Sequence, residues 1–184
     1  MRELSLNILD IACNCVTAKA SLVEITVDED TSAHTLSVII ADNGCGMDEE
    51  TLNKVQDPFY TTRTTRKVGL GIPLFKMSAE MCGGSFKIES EKGVGTTVYA
   101  DYKTDNIDFV PLGDMVSSII TLATMNKATD VFYRQVLNGK EIVFDTREIK
   151  KILGDDVPID QPEIIQWMRG YLEELIESLN GGVS

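Results

Sequence analysis

Asp10 and Asn14 stand four apart in 4-LSLNILDIACNCVT-17, which places both side chains on one helical face, one turn from each other. An asparagine amide offers a neutral oxygen to a hard cation such as Mg²⁺. That ion takes few protein ligands and completes its shell with waters and phosphate oxygens. A carboxylate beside it can orient or deprotonate a water aimed at a phosphoryl group. Polar pairs at this spacing are also common on solvated helix faces, so the pair alone decides nothing.

Three glycine strings extend the pattern. In 42-DNGCGM-47, Asp42 ends an apolar run and can accept a hydrogen bond from an exocyclic amine, while Gly44 and Gly46 let backbone pass close to a flat ring. Gly69-Leu70-Gly71 opens a helical stretch whose free N–H groups and dipole suit a phosphate. Arg63, Arg66 and Lys67, just upstream, add charge for the same anion. They lie in a stretch between Asp57 and Glu80 that has no acidic residue, in a chain of net charge −12. A solvated basic loop would look the same. The third string, Gly93-Val94-Gly95-Thr96, brings another close approach, with the Thr96 hydroxyl available to a ring nitrogen or a bridging water.

The elements that must position these residues follow from periodicity and punctuation. Residues 3–18 predict a helix with Leu4, Ile8, Ile11, Ala12 and Cys15 on one side and Asn7, Asp10, Asn14 and Thr17 on another. Residues 21–28 and 35–42 predict a strand pair. Asp48 predicts an N-cap for EETLNKV. Residues 57–73 have neither helical nor strand period and predict a long loop or lid. A helix over about 72–82 ends at Gly83-Gly84, and 85–90 with 96–102 predict a second strand pair. From 104 the sequence TDNIDFVPLGD predicts a linker into a second, smaller unit. This unit would hold a helix over about 112–125, a hairpin turning at Asn138-Gly139, and helices near 146–153 and 161–179. Trp167 and Tyr171, four apart, are assigned to its packing face.

Bulk properties bound the function. Apolar content of 43% and charged content of 25% are those of a globular protein. The acidic balance argues against nucleic acid as a partner. No run of 18 apolar residues exists to span a membrane, and Glu3 and Asp10 interrupt any signal-peptide core. Cys13, Cys15, Cys45 and Cys82 form neither a zinc set nor a disulfide ladder, so reduced thiols and a cytoplasmic location are expected.

Singly the strings are weak; their order is not. The chain resembles the ATPase superfamily shared by DNA gyrase, the large heat-shock chaperone, histidine kinases and mismatch-repair ATPases. Its N-box is 10-DIACNCVTAKAS-21, its glycine boxes are 42-DNGCGM-47, 69-GLG-71 and 93-GVGTT-97, and its lid motif is 57-DPFYTT-62. The resemblance covers residues 1–103. It implies an α/β Bergerat-type two-layer sandwich, a mixed sheet with helices on one face, followed by a small C-terminal α+β extension over 104–184. It also implies ATP and Mg²⁺ as ligands. Asn14 would hold the metal, Asp42 and Thr96 the adenine, and Gly44, Gly46, Gly69, Leu70 and Gly71 the pocket and phosphate loop. Asp10 stands where hydrolytic branches carry a glutamate general base, one methylene shorter.

The only histidine, His34, lies in a loop between predicted strands, which disfavours self-phosphorylation on histidine. With the N-box at the amino terminus, no sensor or dimerisation segment is expected upstream. The chain is then similar to small anti-sigma-factor serine kinases, apart from residues 104–184. The implied activity is transfer of the ATP γ-phosphoryl group to water or a partner protein, or an ATP-gated interaction module with little turnover. The resemblance extends to stand-alone proteins encoded near bacterial hydrogenase or NADH-oxidising subunits, which implies a redox-linked protein partner. No oligomeric state is read from the sequence.

Overall fold

The computed structural model describes residues 3–59 and 70–181. In order they form α1 (Leu4–Thr17), β1 (Leu22–Asp30), β2 (Thr35–Asp42), α2 (Glu49–Val55), α3 (Gly71–Met81), β3 (Ser85–Glu91), β4 (Gly95–Lys103), α4 (Met115–Met125), β5 (Asp130–Leu137), β6 (Lys140–Asp145), α5 (Thr146–Leu153) and α6 (Pro162–Leu179). The strands make one six-stranded sheet in the order β3-β4-β2-β1-β5-β6. Every pairing is antiparallel except β1 with β5, so the sheet is mixed.

Period-two alternation decides which face is covered. Val23, Ile25 and Val27, then Leu36, Val38 and Ile40, then Val98, Ala100 and Tyr102 all point into the core. Tyr133 and Phe144 continue that layer on β5 and β6. Against it pack Leu4, Ile8 and Ile11 of α1, Phe75 and Ala79 of α3, Ile119 and Leu122 of α4, and Met168 and Leu172 of α6. The intervening strand residues, such as Glu24, Ile39, Asp101 and Val143, are exposed on the far face. The result is a two-layer α/β sandwich. Local signals behave as their chemistry requires: Asp48 Oδ1 caps α2 by accepting from the Thr51 N–H at 2.8 Å. Asn138 and Gly139 both take positive φ, 50° and 83°, at the β5–β6 turn.

The C-terminal part packs differently from the expected linker and separate unit. β5 lies parallel along β1 from Leu22↔Asp130 to Glu29↔Leu137, covering what would otherwise be an open sheet edge. The 104–114 segment is stitched to the start of α1. Leu4 and Ser5 donate their N–H groups to the carbonyls of Pro111 and Leu112 at 3.0 and 2.8 Å, satisfying donors that a helix cannot pair within itself. Residues before and after position 104 share one sheet and one core. Trp167 and Tyr171 also depart from expectation: they are 48% and 37% exposed, because Met168 and Leu172 occupy the inward face of α6. All four cysteines are free thiols. Among the described residues no helix is long and apolar enough to cross a membrane.

Candidate functional site

The polar stripe of α1 stands at one end of the helical layer. Asp10 and Asn14 are exposed, and α3 begins directly beside them. A Cβ on Gly71, the first residue of α3, would lie 3.6 Å from Asp10 Cβ and 3.9 Å from Asn14 Nδ2. Leu70 supplies no side-chain cap, and Pro73 has no N–H. As first-turn residues, Gly71 and Ile72 have no α3 carbonyl to donate to, and the positive end of the helix dipole stands beside the stripe. The surrounding helices desolvate Asp10 enough to raise its carboxyl above the ordinary range. Burial first, and then the Asp10 charge, likewise raise the Cys13 thiol. One turn before Asp10, Asn7 is buried at the edge of the stripe, and its Oδ1 has no hydrogen-bond partner among the described residues.

The first and third glycine strings meet at the end of β2. Asp42 pairs across the sheet with Val23 on one side and Thr96 on the other. One carboxylate oxygen accepts the Gly44 N–H at 2.7 Å, which bends the chain and leaves the second oxygen free of that turn. Asn43 anchors the bend, its Oδ1 accepting from the Ser21 and Leu22 N–H groups at 2.9 and 3.0 Å. The Cys15 thiol lies beneath; burial and then the Asp42 charge hold its pKa well above the usual thiol range, so it stays protonated.

The glycines of the first and third strings also sit where backbone meets backbone. At Gly46, with φ of 64°, a Cβ would come to 2.0 Å from the Glu91 carbonyl oxygen. At Gly95 it would come to 2.0 Å from the Asp42 carbonyl oxygen, and at Gly44 to 2.7 Å from that of Ala18. The close approach is between two stretches of backbone. The crossing is sealed by Gly93 N–H donating to Cys45 O at 2.7 Å and Cys45 N–H donating to Ala18 O at 2.9 Å.

Ser90 is a site residue that sequence reasoning missed. Its Oγ accepts the Met47 N–H at 2.8 Å and stands 2.8 Å from Thr96 Oγ1, tying the first glycine loop to the third. Ser90, Thr96 and Asp42 lie side by side across β3, β4 and β2. The hairpin register around EKGVG carries that signal, because it sets Ser90 opposite Thr96.

Of the sequence-predicted residues, the structure thus gathers Asp10, Asn14 and Gly71 at one point, and Asp42, Gly44, Gly46 and Thr96 at another. α1 runs between them, bearing Asp10 and Asn14 on one side and the Cys15 thiol beside Asp42 on another. Leu70 is exposed at the start of α3. Arg63, Arg66, Lys67 and Gly69, with most of the expected lid, lie outside the described residues. The donor set fits a nucleotide with a hard cation: a half-buried carboxylate, an amide side chain, and the first-turn N–H groups of a helix. Among the described residues no group of three or more His, Cys, Asp or Glu side chains could hold a metal. Asn14 and Asp10 are then the donors this site itself would offer a cation.

Comparison with known proteins bears on the family and the fold. Residues 1–106 match the family described as histidine kinase-, DNA gyrase B-, and HSP90-like ATPase. A Shewanella frigidimarina protein described as "Putative sensor protein" is 30% identical over 99 residues, which are 53% of this chain and 15% of that protein. The sensor protein SrrB of Staphylococcus aureus is 39% identical over 102 residues, 53% of this chain and 17% of SrrB. The chain therefore spans less than a fifth of these relatives. In fold it is similar to the Aquifex aeolicus MutL ATPase domain complexed with ADP, with a TM-score of 0.53 at 16% identity, covering 83% of this chain and 69% of that one.

Proposed function

The chain belongs to the family of histidine kinase-, DNA gyrase B- and HSP90-like ATPases, and from that premise we propose that it binds Mg-ATP and transfers the γ-phosphoryl group to water or to a partner protein in a bacterial regulatory role. The observation that carries the reading is the convergence of the α3 N-terminus on Asp10 and Asn14. It brings the Asp10 and Asn14 side chains beside the first turn of α3, whose N–H donors have no carbonyl within the helix. In this reading the Asp42 oxygen not held by Gly44 accepts an exocyclic amine, with the Thr96 hydroxyl beside it. A Mg²⁺ ion would be held by the Asn14 amide oxygen and would neutralise phosphate charge. The first-turn N–H groups of α3 bind phosphate oxygens, and the raised pKa of Asp10 suits it to take a proton from an attacking water or hydroxyl. That the two curated relatives are sensor proteins supports the regulatory role.

A second reading, an ATP-gated interaction module with little turnover, is favoured by the short side chain of Asp10. A carboxylate displaced by roughly an ångström from the attacking water can lose about 10²-fold in rate. Residues 104–184 would then form the partner or regulatory surface. The two readings separate on ADP release by the purified chain with Mg-ATP beside an Asp10→Ala control. Turnover lost in the control supports catalysis by Asp10. Saturable binding with no turnover above the control supports the gated module, and no binding at all removes both.

A further inference from the structure

Gly170 sits in the middle of the 18-residue α6, where a glycine weakens a helix relative to alanine. Nothing among the described residues accounts for it: a Cβ built there would have no atom within 4 Å. The missing side chain opens a shallow notch of about 230 Å³ on the outer surface, lined by Gln166, Trp167, Gly170, Tyr171 and Glu174. Trp167 and Tyr171 stack face to face beside it, with ring centroids 5.4 Å apart and planes 9° from parallel. Tyr171 in turn rests on the buried Phe144 ring at 6.3 Å, so the pair stands on the core. Two aromatic rings, held flat and left open to water, form a pre-organised surface of the kind that dominates binding energy when covered.

The charge around the notch selects its occupant. Glu163, Glu173, Glu174 and Glu177 are exposed on α6, and among the described residues none is in an ion pair. The one cation of the helix, Arg169, is turned to the Ser117 hydroxyl at 3.0 Å. The whole chain carries a net charge of −12. We propose that this notch is a docking site for an arginine side chain presented by a basic segment of a partner protein. A guanidinium is flat enough to lie over the notch, stacks on aromatic faces, and presents a fork of N–H donors that the Glu174 carboxylate can accept. Gly170 provides the clearance, and the acidic helix draws the basic segment in. The inference stands apart from the nucleotide reading and is tested without nucleotide.

Trp167 is the only tryptophan of the chain, so its fluorescence reports on this site alone. The experiment titrates the full chain with a blocked tetra-arginine peptide and with its tetra-lysine counterpart. The proposal expects a saturable change in Trp167 emission with the arginine peptide and clearly weaker binding of the lysine peptide. Gly170→Ala puts a methyl group into the floor of the notch, where a flat guanidinium would rest, without changing charge; it should weaken the arginine peptide by roughly tenfold or more, with helical circular dichroism intact. Glu174→Gln should weaken it by about three- to tenfold. An absent or unsaturable response overturns the proposal. So does equal binding by Gly170→Ala, which would reduce the effect to general charge attraction, or equal binding of the lysine peptide. Self-association of the wild-type chain that Gly170→Ala abolishes would make the face a contact between copies instead, and would also overturn it.

Discussion

Gly46→Ala is the substitution whose consequence the structure fixes most closely. The alanine would have to hold φ at 64°, in the left-handed region, at a cost of about 1–2 kcal/mol. Its Cβ would also stand 2.0 Å from the Glu91 carbonyl oxygen, so the 42–47 loop must move away from the β3–β4 turn. Two hydrogen bonds hold them together, Gly93 N–H to Cys45 O at 2.7 Å and Met47 N–H to Ser90 Oγ at 2.8 Å. Each is worth about 0.5–1.5 kcal/mol net. The total destabilisation is then about 2–5 kcal/mol, a large share of the roughly 5–15 kcal/mol that a domain possesses. Gly93→Ala is the matched control: its φ of 83° carries the same backbone penalty, but a Cβ there meets nothing within 4 Å. Urea unfolding of both variants measures the difference. If Gly46→Ala costs no more than Gly93→Ala, the crossing of the two glycine strings does not require the glycine, and the account of the loop fails.

Other perturbations separate binding from folding. Asp42→Asn keeps an oxygen for the Gly44 N–H but puts an amide where a donor from a ligand would arrive. Calorimetry with Mg-ATP should therefore show affinity lower by about 1–3 kcal/mol at little cost in stability; Asp42→Ala should lose both, as urea unfolding of the two variants would show. Asp10 is exposed but partly desolvated by its neighbours, which raises the folded-state pKa, so its ionised form weakly opposes folding. That penalty is absent below the unfolded-state pKa and complete once pH has risen through the folded-state pKa. Asp10→Asn should accordingly raise the melting temperature at pH 7, with the gain vanishing in acid; a gain independent of pH would contradict the desolvation argument. A chain ended at Asn106 would retain all the family-matched residues but lose β5 and the carbonyls of Pro111 and Leu112. It should show weak near-ultraviolet circular dichroism and bind a hydrophobic dye, whereas a cooperatively folded fragment would refute the shared core.

Much of this protein is written locally. The stripe of Asp10 and Asn14 needs only a helical repeat to bring two side chains together, and the Asp48 cap and the Asn138-Gly139 turn need only neighbouring residues to set their geometry. Every described element begins and ends within a few residues of the place its apolar period and its glycines indicate, because those signals act over a single turn or strand. The order of the glycine strings carries the family for the same reason: each string is a short contact with its own chemistry.

Tertiary structure decided the rest. No local rule pairs β1 with β5 across some hundred residues; that pairing answers the need of a hydrophobic β1 for a neighbour on its open edge. It turned an expected linker and separate unit into part of one sheet. The inward face of α6 went to Met168 and Leu172 because the register of the helix on β6 placed them over the core, which left Trp167 and Tyr171 outside. Ser90 entered the site through a cross-strand register, and Gly46 and Gly95 proved to be where one backbone crosses another. Residue types and spacing determined the family and the residues that could carry its chemistry. Long-range packing determined which of those residues stand together, because contacts between distant segments depend on the sum of many burial energies that no single stretch contains.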